Sequence, residues 1–388
     1  MKTIVRHSIA AVALQLRVWL GFAGSPRTHE STKKIGFRVF AVSWLISVVL
    51  AASNAGSYSA RQRDEVVQLE DSSTQTVVSI VPSVGNVTFA MTIKGHEILR
   101  FPYASVAEFK GRPALAGIPF LAPWANRLDE QAFYANGKKY PFNMDLGNVR
   151  GAHPIHGFAS ATDQWRVVEA KSDGKSSWVT SRLEFFRQPA WMAQFPFAHT
   201  VEVTHRLQDG ILEVTTRIHN LSTEPMPVAI GFHPYFQLTD SPREAWTISV
   251  GARTEWMLAP DKIPTGETRP IEQLFPAPEA AALKDYDLDH VFGDLIRDSS
   301  GRAVMSVKGK SQRIEVVVGP NYRAVVVYAP SPNAPNPNAQ NRNFICFEPM
   351  ASITNALNMA QRGTYKELQS IPPGQTWEER FWVRPSGF

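Results

Sequence analysis

The sequence has little cysteine, little helical periodicity and no nucleotide-binding motif. Cys346 is the only cysteine among 388 residues, so an intrachain disulfide is excluded and export must be judged from the N-terminal segment. Neither a G-x-G-x-x-G nor a Walker loop occurs, and we therefore expect no nucleotide cofactor. Apolar residues rarely recur at intervals of three and four, which argues against a helical fold.

Excess basic charge is also absent from most of the chain, although the formal net charge is +5. Residues 1–63 contain nine Lys or Arg and one acidic residue, whereas residues 64–388 contain 31 basic and 34 acidic residues. A nucleic-acid backbone requires a basic surface stripe. The charge balance therefore excludes nucleic acid as a partner of residues 64–388.

An apolar run occupies part of the N-terminal segment. Residues 39–60 carry no charge, residues 39–52 are nearly all apolar, a basic flank lies at 33–38, and small residues follow at 53–55. This pattern predicts a signal peptide within a leader of residues 1–60, and hence an exported protein, periplasmic or secreted. The alternative is an uncleaved anchor, although the run is shorter than the ~20 residues that span a bilayer. If the leader were such an uncleaved anchor, it would be the part of the protein that contacts the membrane.

Residues 64–388 read as short strands separated by Gly, Pro and Asn. The runs at 199–207 and 211–219 alternate apolar and polar residues around Gln208-Asp209-Gly210, a sequence typical of a hairpin turn. Many such runs predict a single all-β domain over residues 64–388, built as a sandwich or a barrel. Residues 331–343 are rich in Pro and Asn and predict a loop between two strands.

Glu348 lies in an apolar run that favours a strand. Side chains alternate between the faces of a strand, so Phe344 and Cys346 are expected to share a face with Glu348. Ile345 and Phe347 would then point the other way. Apolar neighbours at a strand end would partly desolvate Glu348 and raise its pKa towards that of a general base. The alternative is a surface glutamate.

Two histidines also lie among apolar residues. His233 is in an aromatic segment, where it is either packed in the core or placed for proton transfer near neutral pH. His156 precedes Gly157, where the small residue permits close approach of a ligand or backbone. His153 and His156 form an H-x-x-H pair, but residues three apart do not share a face in extended chain. We therefore predict no metal site.

Taken together, five segments resemble the aldose 1-epimerase (galactose mutarotase) family in order and spacing, over about residues 78–384. The matching stretches are APWANRL, IHGF with Trp165 downstream, IHNLSTEPMPVAIGFHPYFQL, LDHVF and FICFEPMASITNALN, with IPPGQTWEERFWV closing the chain. The resemblance implies a large antiparallel β-sandwich with an open sugar-binding cleft. That fold agrees with the strand pattern.

The resemblance also implies an activity, the interconversion of the α and β anomers of a free aldose without cofactor or metal. Glu348 would be the general base that removes the proton of the anomeric hydroxyl, and His233 the general acid that protonates the ring oxygen. His156 would help to hold the ring oxygen or the C1 hydroxyl. The implied sugar-binding residues are Asn126, Arg127, Asp289 and Tyr235.

Three other functions are compatible with the sequence. The first is a non-catalytic exported carbohydrate-binding protein on the same scaffold. The second is a hexose-6-phosphate mutarotase, with Arg323 or Arg342 as phosphate ligands. The third is a glycoside hydrolase with Asp289 and Glu348 as its two carboxylates. His290 beside Asp289, and Ser-Ile-Thr-Asn at 352–355, depart from the family pattern, so no particular sugar is predicted.

Overall fold

The computed structural model describes residues 57–145, 149–332 and 342–388. The predicted apolar core of the leader at 39–52 and its cleavage site at 53–55 lie outside the described residues, as does most of the predicted loop insert, residues 333–341. Within the described ranges no helix has the length and hydropathy needed to cross a bilayer. The described residues all belong to one compact unit.

Strands dominate both halves of the described chain. The first half contains β1 (Tyr58–Arg63), β2 (Val66–Asp71), β3 (Thr76–Val81), β4 (Val87–Ile93), β5 (His96–Glu97), β6 (Phe120–Leu121), β7 (Ala132–Ala135), β8 (Lys138–Pro141), β9 (Val149–Arg150), β10 (His153–Pro154), β11 (Arg166–Ser172), β12 (Ser177–Glu184), β13 (His199–Gln208) and β14 (Ile211–Asn220). The second half contains β15 (Met226–Val228), β16 (Gly231–Phe232), β17 (Tyr235–Phe236), β18 (Thr247–Val250), β19 (Ala252–Leu258), β20 (Pro264–Pro270), β21 (Ala281–Ala282), β22 (Leu288–Leu295), β23 (Ala303–Lys308), β24 (Arg313–Val318), β25 (Ala324–Ala329), β26 (Ile345–Met350), β27 (Gln369–Ile371) and β28 (Thr376–Ser386).

Helices in the described ranges are short. They are α1 (Val106–Gly111), α2 (Pro189–Met192) and α3 (Ala356–Gln361), with 3₁₀ turns at Phe185–Arg187, Arg243–Ala245, Ile271–Gln273 and Leu283–Asp285. The predicted all-β antiparallel sandwich is confirmed, because the paired strands of the large sheets run antiparallel.

The N-terminal strands form a five-stranded sheet in the order β1-β2-β3-β4-β5. β1 begins at Tyr58 and pairs with β2 along its whole length, from Tyr58 opposite Asp71 to Arg63 opposite Val66. The folded domain therefore starts six residues before the boundary at 64 that the sequence predicted. Charge at Arg61 and Arg63 does not prevent pairing, because both side chains are exposed.

A nine-stranded sheet forms one layer, in the order β11-β12-β13-β14-β28-β24-β23-β18-β21. At its centre β13 and β14 pair from His199 opposite Asn220 to Gln208 opposite Ile211. Asp209 and Gly210 close this hairpin with φ values of 52° and 72°. Positive φ at both central residues is what a two-residue type I′ turn requires, so the predicted hairpin is confirmed.

The second large sheet contains eight strands and forms the opposing layer. Its order is β20-β19-β22-β25-β26-β16-β6, with β17 pairing on β26. Phe232 of this sheet meets Phe381 of the nine-stranded sheet with ring centroids 4.9 Å apart, and both rings are buried in one continuous core. Each such ring contributes about 1.5–3 kcal/mol by leaving water. One face of the eight-stranded sheet therefore packs in the core between the two sheets, and its other face points outward.

β26 has the alternation that the sequence predicted. Ile345 and Phe347 pack in the core between the sheets, whereas Cys346 packs on the opposite face with Tyr235 and Phe344. The prediction that Glu348 lies at a strand end is wrong. β26 continues to Met350, and Glu348 is only 1% exposed because β25 pairs alongside it, with Val326 opposite Glu348.

Candidate active site

A small pocket opens on the outer face of the eight-stranded sheet. Its volume is about 90 Å³. All seven site residues that the sequence predicted line it, namely Asn126, Arg127, His156, His233, Tyr235, Asp289 and Glu348. The sequence did not predict four further lining residues, Leu115, Arg150, Ile155 and Tyr328.

The strand register brings part of this set together. Asp289 of β22 lies opposite Tyr328 of β25, Tyr328 lies opposite Cys346 of β26, and Cys346 lies opposite Tyr235 of β17. Residues opposite one another in neighbouring strands share a face. Because Glu348 is two residues after Cys346, its carboxylate lies on this same face.

Two loop residues are held by a reciprocal pair of hydrogen bonds. The Asn126 backbone N–H donates to Nδ1 of His156 over 3.1 Å, and the His156 backbone N–H donates to the Asn126 carbonyl over 3.1 Å. Both residues have left-handed backbones, with φ of 58° and 62°. Since Nδ1 accepts, a neutral His156 carries its proton on Nε2. Burial, with the nearby cationic groups, lowers the pKa of His156 well below 6.5 and keeps the ring neutral.

Arg127 is fixed by its neighbour in the sequence. Oδ1 of Asn126 accepts from the Arg127 backbone N–H over 2.9 Å and from its Nη1 over 3.1 Å. The Arg127 carbonyl accepts in turn from the backbone N–H of Asn355. Arg127 is only 8% exposed, and this burial lowers its pKa, whereas the nearby carboxylates, Asp289 foremost and then Glu348 and Asp261, oppose the shift. Arg127 therefore presents a positioned cation beside two carboxyl groups.

His233 and Glu348 form a buried acid–base pair. Nε2 of His233 lies 3.1 Å from Oε1 of Glu348, and both side chains are buried. Desolvation raises the pKa of Glu348 well above 4.5, with Asp289 adding to the increase and Arg127 opposing it. Desolvation also lowers the pKa of His233 to about 3. At a pH above the lowered pKa of His233 and below the raised pKa of Glu348, the pair holds one proton, which either partner can carry.

The remaining lone pairs of Glu348 are available to a ligand. Its Oε2 is buried and accepts no hydrogen bond from the described residues. His233 is held in place by stacking on Tyr235, with ring centroids 4.7 Å apart and planes inclined by 7°. Its backbone N–H also donates to the Pro119 carbonyl. A buried carboxyl oxygen without a donor is costly unless a ligand hydroxyl supplies one.

The two histidines of the H-x-x-H pair are not brought together. His156 lines the pocket, whereas Nε2 of His153 lies 3.2 Å from Oδ2 of Asp261. No cluster of three or more His, Cys, Asp or Glu suited to a metal ion occurs in the described part of the chain. Arg323 and Arg342, the predicted phosphate ligands of the alternative function, do not line the pocket either.

Comparison with known proteins shows the family to which the chain belongs. The sequence profile of a family described as aldose 1-epimerase matches residues 68–384. The chain belongs to the aldose 1-epimerase family. Among proteins of known structure, a galactose mutarotase-like protein from Clostridium acetobutylicum is similar to this chain and 21% identical to it. That similarity covers 85% of this chain and 98% of the other, with a TM-score of 0.72.

Two further relatives extend the comparison. The galactose 1-epimerase of Lactobacillus acidophilus NCFM is 15% identical over 85% of this chain and 98% of its own, with a TM-score of 0.66. The uncharacterized protein YihR of Escherichia coli K12 is 21% identical over 238 residues, or 61% of this chain and 70% of its own. At this identity the solved structures establish the aldose 1-epimerase fold alone.

Proposed function

We propose that this protein is a mutarotase, which interconverts the α and β anomers of a free aldose. The observation that carries the proposal is the contact between His233 and Glu348, 3.1 Å apart in the pocket. Opening a cyclic hemiacetal requires one group to remove a proton from one oxygen while another group protonates a second oxygen. A buried pair that holds a single proton can perform both steps.

The chemical sequence conserves protons. Glu348 takes the proton of the anomeric hydroxyl as the C1–O1 bond becomes a carbonyl, the C1–O5 bond breaks, and His233 gives its proton to O5. Rotation about the C1–C2 bond then presents the other carbonyl face. Reclosure reverses both transfers, so the pair ends with the one proton with which it began.

Arg127 has an electrostatic part in this sequence. In the absence of a ligand, burial favours the neutral forms, with the proton on Glu348 and none on His233. The positive charge of Arg127 favours the carboxylate form of Glu348. An anomeric hydroxyl that donates to Glu348 would favour it further, and so prepare the arrangement in which His233 holds the proton.

The other lining residues are suited to holding the ring. Asp289 can accept from sugar hydroxyls, Arg127 can donate to them, and Nε2–H of His156 can donate to the ring oxygen or O1. Tyr235 stacks on His233 and limits its rotation. These contacts orient the ring so that the anomeric hydroxyl meets Glu348.

The first test is polarimetry on freshly dissolved sugars. We expect the wild-type protein to accelerate the optical rotation change of α-D-glucose or α-D-galactose above the buffer rate, by ~10²–10⁴ for each positioned group. D-Glucose 6-phosphate belongs in the panel because Arg150 adds a cation to the pocket. Sugar binding, measured by calorimetry, without any acceleration would instead identify a carbohydrate-binding protein.

The number of protons that His233 and Glu348 hold together predicts how kcat/KM depends on pH. The proton count of the pair stays at one from about pH 3, the pKa of His233, up to the raised pKa of Glu348. Below this pH range His233 takes up a proton, so that the pair holds two. Above it Glu348 loses the only proton of the pair. We therefore expect kcat/KM to stay flat through pH 6.5 and pH 5 and to fall on the alkaline side. An acidic limb near 6.5, the ordinary histidine value, would contradict the shared-proton pair.

A further inference from the structure

A second cavity adjoins the pocket that contains His233 and Glu348, which is the catalytic pocket of the proposed mechanism. Its volume is about 290 Å³, and it shares four lining residues with the pocket, Leu115, Arg150, Ile155 and His156. A residue that lines both spaces has a surface in each, so these four side chains form the boundary along which the two spaces adjoin. The remaining walls come from residues 113–114, Val149 and residues 160–161.

The sizes of the two spaces suggest a ligand larger than one sugar ring. Ligand pockets in proteins usually measure about 300–1,000 Å³. The catalytic pocket alone, at about 90 Å³, is well below that range, whereas the catalytic pocket and its neighbour together fall within it. The second cavity therefore supplies most of the space available to a bound molecule.

The walls of this cavity combine apolar surface with a few polar groups. Val149 is 42% exposed at its rim, one of the few large apolar side chains in the described ranges with so much contact with water. Leu115 and Ile155 extend the apolar surface, while Ser160 contributes a hydroxyl. Arg150 is exposed and has no ion-pair partner among the described residues. Apolar walls suit the C–H faces of a pyranose, and the polar groups suit its hydroxyls.

Catalysis fixes the direction in which the ligand extends. The anomeric carbon must be free and must lie against His233 and Glu348, so whatever occupies the second cavity is attached to another carbon of the same ring. In free saccharides that substituent is a further sugar residue, joined by a glycosidic bond to the reducing-end ring.

We propose that the second cavity is a subsite for the next sugar residue of a reducing disaccharide or oligosaccharide. The inference rests on the proposed mutarotase function and names its substrate class. The reducing-end ring occupies the catalytic pocket, and the adjoining residue packs on Val149, Leu115 and Ile155. Binding energy from this second residue is available to orient the first.

The experiment compares glucose and galactose with maltose, cellobiose, lactose, melibiose and gentiobiose, each dissolved as a single anomer. We expect kcat/KM for at least one disaccharide to exceed that for its reducing-end monosaccharide by roughly tenfold, the change that a few buried CH groups produce. Activity on monosaccharides with no disaccharide preferred would overturn the subsite and leave the mutarotase proposal intact. Inactivity on the whole panel would reject the mutarotase proposal itself.

A variant that fills the second cavity separates the two spaces. Ala161 lines the second cavity but not the catalytic pocket, and it is exposed, so Ala161→Trp adds bulk there without disturbing the core. Ala104→Trp places the same bulk at another exposed alanine, outside both cavities. We expect A161W to lower kcat/KM for the preferred disaccharide about tenfold through KM while glucose is unchanged, and A104W to change neither. Equal loss on both sugars, or no loss on either, would overturn the subsite.

Discussion

Glu348→Gln is expected to lower kcat/KM for anomer interconversion by ~10²–10⁴ while leaving the fold intact. Glutamine preserves the size of the side chain, but its amide cannot take up the proton of the anomeric hydroxyl. His233→Asn removes the other member of the pair, whose Nε2 lies 3.1 Å from Glu348, and should reduce the rate by a similar factor. Polarimetry gives the rates, and circular dichroism with thermal melting reports the fold.

Glu97→Gln is the matched control for the glutamate. Glu97 is partly buried, and desolvation raises its pKa to about 7, but it does not line the pocket that contains Glu348. Its Oε1 accepts from the backbone N–H groups of Met91 and Leu99, and the amide oxygen of glutamine can accept from the same two groups. The control variant should retain wild-type rates. Wild-type rates in both E348Q and H233N would remove the basis for the proposed mechanism.

Gly157→Ala is expected to lower the free energy of unfolding by about 3 kcal/mol and to reduce activity as well. Gly157 has a φ of 58°, and an added Cβ would lie 2.1 Å from the Ala122 carbonyl oxygen. That oxygen cannot easily move away, because it accepts from the backbone N–H groups of Phe158 and Ala159. The collision would therefore displace the chain next to His156, whose hydrogen bonds to Asn126 order the pocket.

Gly174→Ala provides the comparison for this glycine. No atom lies within 4 Å of a Cβ added at Gly174, and its backbone does not need a glycine conformation. Its unfolding free energy, measured in urea, should stay within about 0.5 kcal/mol of wild type. If G157A and G174A were equally stable and equally active, the close approach at Gly157 would have no structural role.

Local patterns in the sequence were sufficient to predict the strands and to predict which residues of β26 face the site. Alternation in β26 placed Cys346 and Glu348 on the face opposite Phe347, and the Asp209-Gly210 turn fixed the register of the central hairpin. These features depend on residues that are neighbours in the chain, where the two-residue period of a strand applies directly. The start of the domain was placed too late because short exposed edge strands such as β1 carry little apolar signal.

Contacts between distant segments could not be read from local patterns. The hydrogen bonds between Asn126 and His156 depend on two left-handed backbones thirty residues apart in sequence. The burial of Glu348 depends on the pairing of β26 with β25, which the sequence of β26 alone does not reveal. Tyr328 could have been suggested by its alternate position in β25, but Arg150 lies in a two-residue strand without any pattern.

The order in which the pocket residues occur along the chain has a consequence for the synthesis of the protein. Asn126 and His156 leave the ribosome early, whereas β26 is among the last strands to emerge. A nascent chain that already contains both loops and most of the nine-stranded sheet still lacks the carboxyl group that His233 faces. The proposed chemistry on sugar would therefore begin only after nearly the whole polypeptide has been translated, and products truncated before β26 are expected to be inert.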